Sequence, residues 1–458
     1  MDKPPFITRR SALAGLAAVA ATRPAGAATR ATPATAPMPK ATMVPASDFG
    51  LAPNTDTDQS AALQKAADAA AARGLPLFLP GGSYRAGNIN LASSVTIYGV
   101  DGATAIINAG ATPIFHADGQ NNITLRSLTL DGTGGGPMDG RSGLLAFNKC
   151  ERLRVDGLDV RQAPGNGLFL SGCSGLVTGG HFAGHANSGI FAIDSHELTI
   201  SQNQVADCGN GGILVWQSQS GPDGTIVSGN HIARISARGG GNGQNGNGIN
   251  IFRADGVMVV NNHISDCAFT AIRANSASDI QISNNQCRRS GETAIYVEFA
   301  FEGAVVSANM IDGAANGISI ANFDEGGRLA SVTGNVVRNL TLKGPYKHEV
   351  GFGIGIAAEA DTLISGNVIE GAPRWGMQIG WGPYLRNVVV SGNVVRKAPV
   401  GCAVSVADGA GTAVITDNVF QETAEGAVLG FQWEKKVSDE MAGGAPYKQL
   451  TVERNRVS

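Results

Sequence analysis

The chain has 458 residues, 63 of them Gly, with 16% charged, 6% aromatic and 43% hydrophobic residues. Gly is about twice its usual ~7% share but has no three-residue period, which excludes collagen. The apolar content excludes disorder over most of the length. The formal charge of −3 includes a net +3 from residues 1–27, so the remainder carries −6 and has no basic footprint for nucleic acid.

In chain order, the first element is an address. Thr8-Arg9-Arg10-Ser11-Ala12-Leu13 leads into an apolar run ending near Ala21, then Pro24-Ala25-Gly26-Ala27-Ala28. Paired Arg, a short weakly apolar stretch and a small-residue site predict a twin-arginine signal over 1–27, cleaved near Ala27. The partner this implies is the twin-arginine translocase, and the destination is the periplasm or the medium. The apolar run is too short for the ~20 residues of a membrane span, and no later run is long enough. Residues 28–44, rich in Ala, Thr and Pro, predict a disordered linker. One domain is expected over 45–458.

Next comes Asp48-Phe49-Gly50, then Asp56-Thr57-Asp58 before an Ala-rich helical stretch from about Gln59 to Arg73. Thr57 or Asp58 can cap its start and Gly74 its end. Leu77-Phe78-Leu79-Pro80-Gly81-Gly82-Ser83-Tyr84 opens the β region, and the helix shields the open end of that region.

From residue 142 the chain repeats. One unit is Gly-Ile-x-Val, as in Gly212-Ile213-Leu214-Val215 and Gly248-Ile249-Asn250-Ile251. The other carries Asn203, Asn230, Asn262, Asn285, Asn309, Asn335, Asn367, Asn393 and Asn418, spaced by 23 to 32 residues. Short period-2 segments broken at Gly or Asn, three to a ~23-residue turn, predict a parallel β-helix with strands stacked ~4.8 Å apart. The Asn column is expected to stack amide on amide inside one turn. The six Cys read as small buried residues of the stack, with Cys150 and Cys173, in adjacent coils, as the one pair placed to bridge.

The opening Asp-Phe-Gly, the Asp-Thr-Asp before a helix and Leu-Pro-Gly-Gly-Ser-Tyr at the first coil resemble the pectate-lyase-like β-helix proteins. The resemblance covers nearly all of the mature chain. It implies an all-β, single-stranded right-handed parallel β-helix with an N-terminal capping α-helix. Leader and repeats together also look like a family of exported repeat proteins. The superfamily includes lyases, hydrolases, epimerases and non-catalytic proteins, so chemistry has to be read from the coils. The Asn-Thr-Asp, paired Asp, Gly-His-Gly and Arg-Ile-Lys set of galacturonan hydrolases is absent. So is the Asp-Pro-His of mannuronan epimerases. No Asp cluster matches a pectate lyase Ca²⁺ site, which leaves ligands gathered from several coils as the only route to Ca²⁺. No cofactor is expected.

Aligned on Gly-Ile-x-Val, x and the residue after Val point outward. The outward pairs run Leu145/Phe147, Phe169/Ser171, Phe191/Ile193, Leu214/Trp216, Asn250/Phe252, Arg273/Asn275, Tyr296/Glu298, Ser319/Ala321, Gly355/Ala357 and Gln378/Gly380. An apolar face thus becomes ionisable at Arg273, Tyr296 and Glu298. Arg253, Asn322 and Trp381 follow one strand further on. Insertions at 236–247 and 341–352 leave one corner four rungs apart, ~19 Å, and are expected to wall a groove for a polysaccharide or oligosaccharide. This alignment places no second carboxylate within two rungs of Glu298, which disfavours two-carboxyl hydrolysis. Lyase or epimerase chemistry on a uronate suits the set better. Arg273 would hold the sugar carboxylate, Tyr296 or His348 would move the proton, and Glu298 would orient Arg273. Trp216, Asn250, Phe252, Asn275, Asn322 and Trp381 are the candidate sugar contacts. A non-catalytic carbohydrate-binding or structural envelope protein and a glycoside hydrolase are the competing readings.

Overall fold

The computed structural model describes residues 42–110, 113–348 and 350–458. The signal segment and most of the expected linker lie outside these residues. Val44, assigned to the linker, already pairs with Leu77 in the first short strand, Val44–Pro45.

Three sheets of 16, 15 and 15 strands run the length of the described chain. Between its ends each sheet takes every third strand in order, as a chain that coils three strands per turn requires. All pairings between named strands are parallel except the terminal hairpin of Gly426–Gln432 with Lys435–Lys436. The fold is an all-β right-handed parallel β-helix. Small aliphatic side chains fill its interior: Ile249, Ile272, Ile295 and Ile318 stack in register, each at most 1% exposed. Gly248 and Gly317 precede two of them, where no side chain fits between coils, and Ala271 and Ala294 precede the other two. A Cβ on Gly248 would lie 2.6 Å from Ile264 Cγ2 and 2.8 Å from the Ala271 carbonyl oxygen.

The asparagine column is continuous. Asn262 Nδ2 donates to Asn285 Oδ1 at 3.0 Å, Asn285 to Asn309 at 3.0 Å and Asn309 to Asn335 at 3.0 Å. Each Oδ1 also accepts the backbone N–H of the preceding Asn, as Asn285 does from Asn262 at 3.0 Å. The column runs from Asn203 to Asn418 and gains Asn455 at its end. A shorter ladder, Asn166–Asn187–Asn210, lines another turn.

The capping helix spans Ser60–Arg73 and buries Leu63, Ala66, Ala67 and Ala70. Asp58 Oδ1 accepts the Ser60 N–H at 2.9 Å, so the aspartate serves the first turn from two residues upstream. Gly74, at φ 62°, ends the helix and donates to the Ala70 and Ala71 carbonyls. All six cysteines are buried and free. Cys150 and Cys173 are adjacent, with the Cys150 N–H 3.5 Å from Cys173 Sγ.

Register corrects two of the outward pairs. Ala146 and Asn148, not Leu145 and Phe147, pair with Phe169 and Ser171, and Leu145 and Phe147 are core. Further on, Ser319 pairs with Ala357. Gly353-Ile354-Gly355-Ile356 holds two overlapping Gly-Ile pairs, and the strand uses the second. The outward residues of that coil are therefore Ala357 and Glu359, so Glu359 stands in the column of Glu298, two rungs away.

Candidate functional site

Two cavities open on the sheet that carries the ionisable column. The first, about 360 Å³, is lined among others by Glu292, Tyr296, Ser319, Asn322, Tyr346, His348, Glu359, Gln378 and Trp381. The second, about 420 Å³, is lined by Trp216, Asn242, Gly243, Gln244, Asn250, Phe252, Arg273, Asn275 and Phe299. The 341–352 segment walls the first and the 236–247 segment the second, so the two insertions do bracket this face. Instead of one groove, they make two adjoining pockets.

Arg273 holds the boundary. Its Nε donates to Glu298 Oε1 at 2.6 Å and its Nη1 to Glu292 Oε2 at 3.3 Å. Its Cζ lies 5.1 Å from the centre of the Tyr296 ring. Gly243, at φ 143°, lies against the guanidinium; a Cβ there would stand 2.0 Å from Arg273 Nη1. Arg273 is 8% exposed and Glu298 2%. Burial opposes the charged guanidinium, but Glu298 and Glu292 outweigh it and hold the group further toward its charged form. Burial pushes the Glu298 carboxyl up, against the pull of Arg273. Asn275 Nδ2 adds a bond to Glu298 Oε1 at 2.9 Å. Arg273 and Glu298 thus form a neutralised support under the pocket floor, with Glu298 lining neither cavity.

Glu292 extends this network to the wall. Its Oε2 accepts from Thr270 Oγ1 at 3.0 Å, and its Oε1 accepts the Tyr346 hydroxyl. The Tyr346 ring stacks on Phe269 at 6.0 Å and meets Phe352 edge-on at 5.8 Å. The 341–352 segment is thereby tied over the first cavity. Burial raises the Tyr346 phenol, and the nearby Glu292 charge raises it further. Burial likewise raises Tyr296, so both phenols remain protonated at neutral pH.

Glu359 is the distinctive acid. Burial pushes its carboxyl up to about 7, helped by the charge of Asp324 and opposed by hydrogen bonds from the backbone. Its Oε2 accepts the Phe323 N–H at 2.7 Å. Asn322, at φ 71°, leads the short helix Phe323–Glu325 that carries this donor. Gln378, Trp381 and Asn322 share the cavity with Glu359.

The structure therefore divides the residues singled out from sequence. Tyr296, Asn322, His348 and Trp381 line the first cavity; Trp216, Asn250, Phe252, Arg273 and Asn275 line the second. Glu292, Tyr346 and Glu359 were missed. Glu292 precedes its strand, in the turn column of Asn187 and Asn210, where no outward alignment looks. Glu359 was hidden by the two-residue slip at Gly353–Ile356. The expectation of no second carboxylate within two rungs fails for the same reason. Among the described residues, no group of three or more His, Cys, Asp or Glu could hold a metal ion. No helix among them is long and apolar enough to cross a membrane.

A family profile described as "Right handed beta helix region" matches residues 166–326. No curated protein sequence matches the chain. Among solved structures, the pre-mature gene product 12 of bacteriophage phi29 is similar at 14% identity and a TM-score of 0.54. The match covers 84% of this chain and 65% of the phage protein, so the chain spans less than two thirds of that relative. The A-module of the mannuronan C-5 epimerase AlgE6 from Azotobacter vinelandii gives 17% identity, a TM-score of 0.49 and coverage of 90% and 99%. The surface adhesin PfbA of Streptococcus pneumoniae gives 14%, 0.45, and 90% and 100%. These likenesses are of fold.

Proposed function

We propose that the protein is an exported polysaccharide-acting enzyme and that the first cavity is where it cleaves a glycosidic bond. The observation that carries this reading is Glu359: a carboxyl held near 7, at one end of a pocket that also offers Trp381, Gln378, Ser319 and Asn322. A carboxyl poised there is protonated in a useful fraction at neutral pH and gives its proton to the departing glycosidic oxygen while water adds to the anomeric carbon. Aromatic and amide side chains are the groups that hold a sugar ring by its faces and hydroxyls. Strand geometry sets Glu292 six residues along the sheet and two rungs from Glu359, roughly 20 Å between Cα atoms. The two do not form the ~5 Å pair of a retaining hydrolase.

The uronate lyase or epimerase reading has its own support. Lys347 and His348 both line this cavity, and the Lys347 ammonium brings it the positive charge that a sugar carboxylate needs. In that reaction His348 takes the C5 proton and Tyr296, held protonated, gives one. Arg273, already held by two carboxylates, serves to position Tyr296.

Mature protein incubated with a polysaccharide panel separates these readings. New reducing ends without ultraviolet absorbance mean hydrolysis. Absorbance of unsaturated uronates means elimination, and a changed uronate composition without cleavage means epimerisation. Loss of product with Glu359→Gln supports the assignment of the acid; full activity in that variant removes it.

A further inference from the structure

The last hairpin of the coil presents an indole where backbone geometry favours glycine. Gln432 pairs with Lys435, leaving a two-residue turn of Trp433 and Glu434. Trp433 has φ 56°, in the left-handed region. The first position of such a hairpin turn is ordinarily glycine, and a bulky side chain there is strained. The strain is not repaid by burial, because Trp433 remains 47% exposed.

The ring is nevertheless held in place. A Cβ on Gly382 would lie 2.4 Å from the indole, so that glycine forms the bed on which it rests. Its centre stands 5.3 Å from that of Trp381, at an interplanar angle of 81°. Arg374 reaches Glu434 beside it at 3.4 Å. Trp381 itself lines the cavity that contains Glu359. An exposed, braced indole therefore continues the aromatic edge of the pocket outward.

We infer that Trp433 is a sugar-stacking subsite for the part of a polysaccharide chain that extends beyond the cavity past Trp381. This rests on the glycan reading of the cavity and adds the preference for a long chain over a short one. An apolar ring face covers the C–H face of a pyranose, and a tip braced by Gly382 and Trp381 gives up little conformational freedom on binding.

The test uses affinity electrophoresis of the mature protein in gels containing xylan, mixed-linkage β-glucan, α-1,3-glucan, homogalacturonan or alginate. A Glu359→Gln background prevents degradation. Trp433→Gly suits the backbone, so the variant is expected to fold, which its Tm checks. The expected result is retardation weakened roughly three- to tenfold by Trp433→Gly and largely restored by Trp433→Phe. Retardation unchanged by Trp433→Gly but weakened by Trp381→Ala overturns the subsite and leaves the reading of the cavity standing. A Tm lowered by many degrees with unchanged retardation assigns the indole to packing and also overturns it. If none of the five polymers retards the protein, the glycan reading fails and this inference with it.

Discussion

A raised carboxyl couples chemistry to stability, and Glu359 offers a direct measurement of both. Its pKa rises from 4.5 to about 7 on folding. The folded state therefore binds this proton more tightly than the unfolded chain. That contribution is fully present below pH 4.5 and is lost as pH rises through about 7. Glu359→Gln removes the loss, so it should stabilise the protein above pH 7 by up to about 3 kcal/mol while abolishing turnover. Urea midpoints at pH 5 and pH 8 check the sign: the gain belongs at pH 8 and should be small at pH 5. Arg273 tests the opposite case. Arg273→Ala leaves Glu292 and Glu298 buried without their cation and should cost about 3–5 kcal/mol. Replacing Glu298 by Gln in the same chain should recover part of that loss, read by thermal melting, because one uncompensated charge is then gone. The sequence revealed Arg273 and Glu298 by their outward column. Glu359 needed the true register, since a two-residue slip leaves it outside the aligned pair, and Glu292 lies in the turn before its strand, which that column does not include.

The asparagine turn shows how a repeated residue becomes a cooperative element. In Asn285, Nδ2 bonds the Val259 carbonyl at 2.9 Å and Asn309 at 3.0 Å, while Oδ1 accepts the Asn262 amide and backbone N–H, each at 3.0 Å. Asn285→Ala removes all four and leaves the Asn262 backbone N–H buried without its acceptor. A cost of about 2–4 kcal/mol is expected. Asn285→Asp should be worse near neutral pH, because one buried oxygen would then face the Asn309 oxygen without a proton between them. Amide hydrogen exchange at Asn262 should speed up in both variants if the ladder is cooperative. The terminal hairpin is another element whose role could not be read from sequence. Its turn places Trp433 against Gly382, a contact between segments about fifty residues apart that only the coil geometry brings together.

For the whole molecule, the twin-arginine leader expected from the sequence would link export to fold. Twin-arginine signals mark proteins that cross the membrane already folded, and a coil whose stability is a sum of neighbouring rungs suits that route. Replacing Arg9 and Arg10 by Lys should leave the precursor inside the cell, as fractionation would show. Continued export after that change would assign the leader to the general secretory route. Adjacent Cys150 and Cys173 give a second measurement. The hydrogen bond between the two thiols shifts them apart, lowering Cys150 to about 7 against the effect of burial and, together with burial, raising Cys173. Coils one strand spacing apart set their Cα atoms within disulfide reach. Thiol titration of the unfolded exported protein should therefore find four free thiols if this pair oxidises and six if it does not.

The amino-acid sequence by itself determined the three-strand period, the Asn column, the helix ended at Gly74 and the face on which the ionisable residues lie. Each comes from local rules that repeat: period-2 burial, a turn that needs an amide, glycine where no Cβ fits. The tertiary structure decided what those rules leave open. Register between unequal coils brought Glu359 into line with Glu298. The two insertions closed separate cavities because Tyr346 reaches Glu292 and Gly243 lies on Arg273. Loops of non-repeating length carry no periodic signal, so the pocket they form exists only once the stack has set their bases.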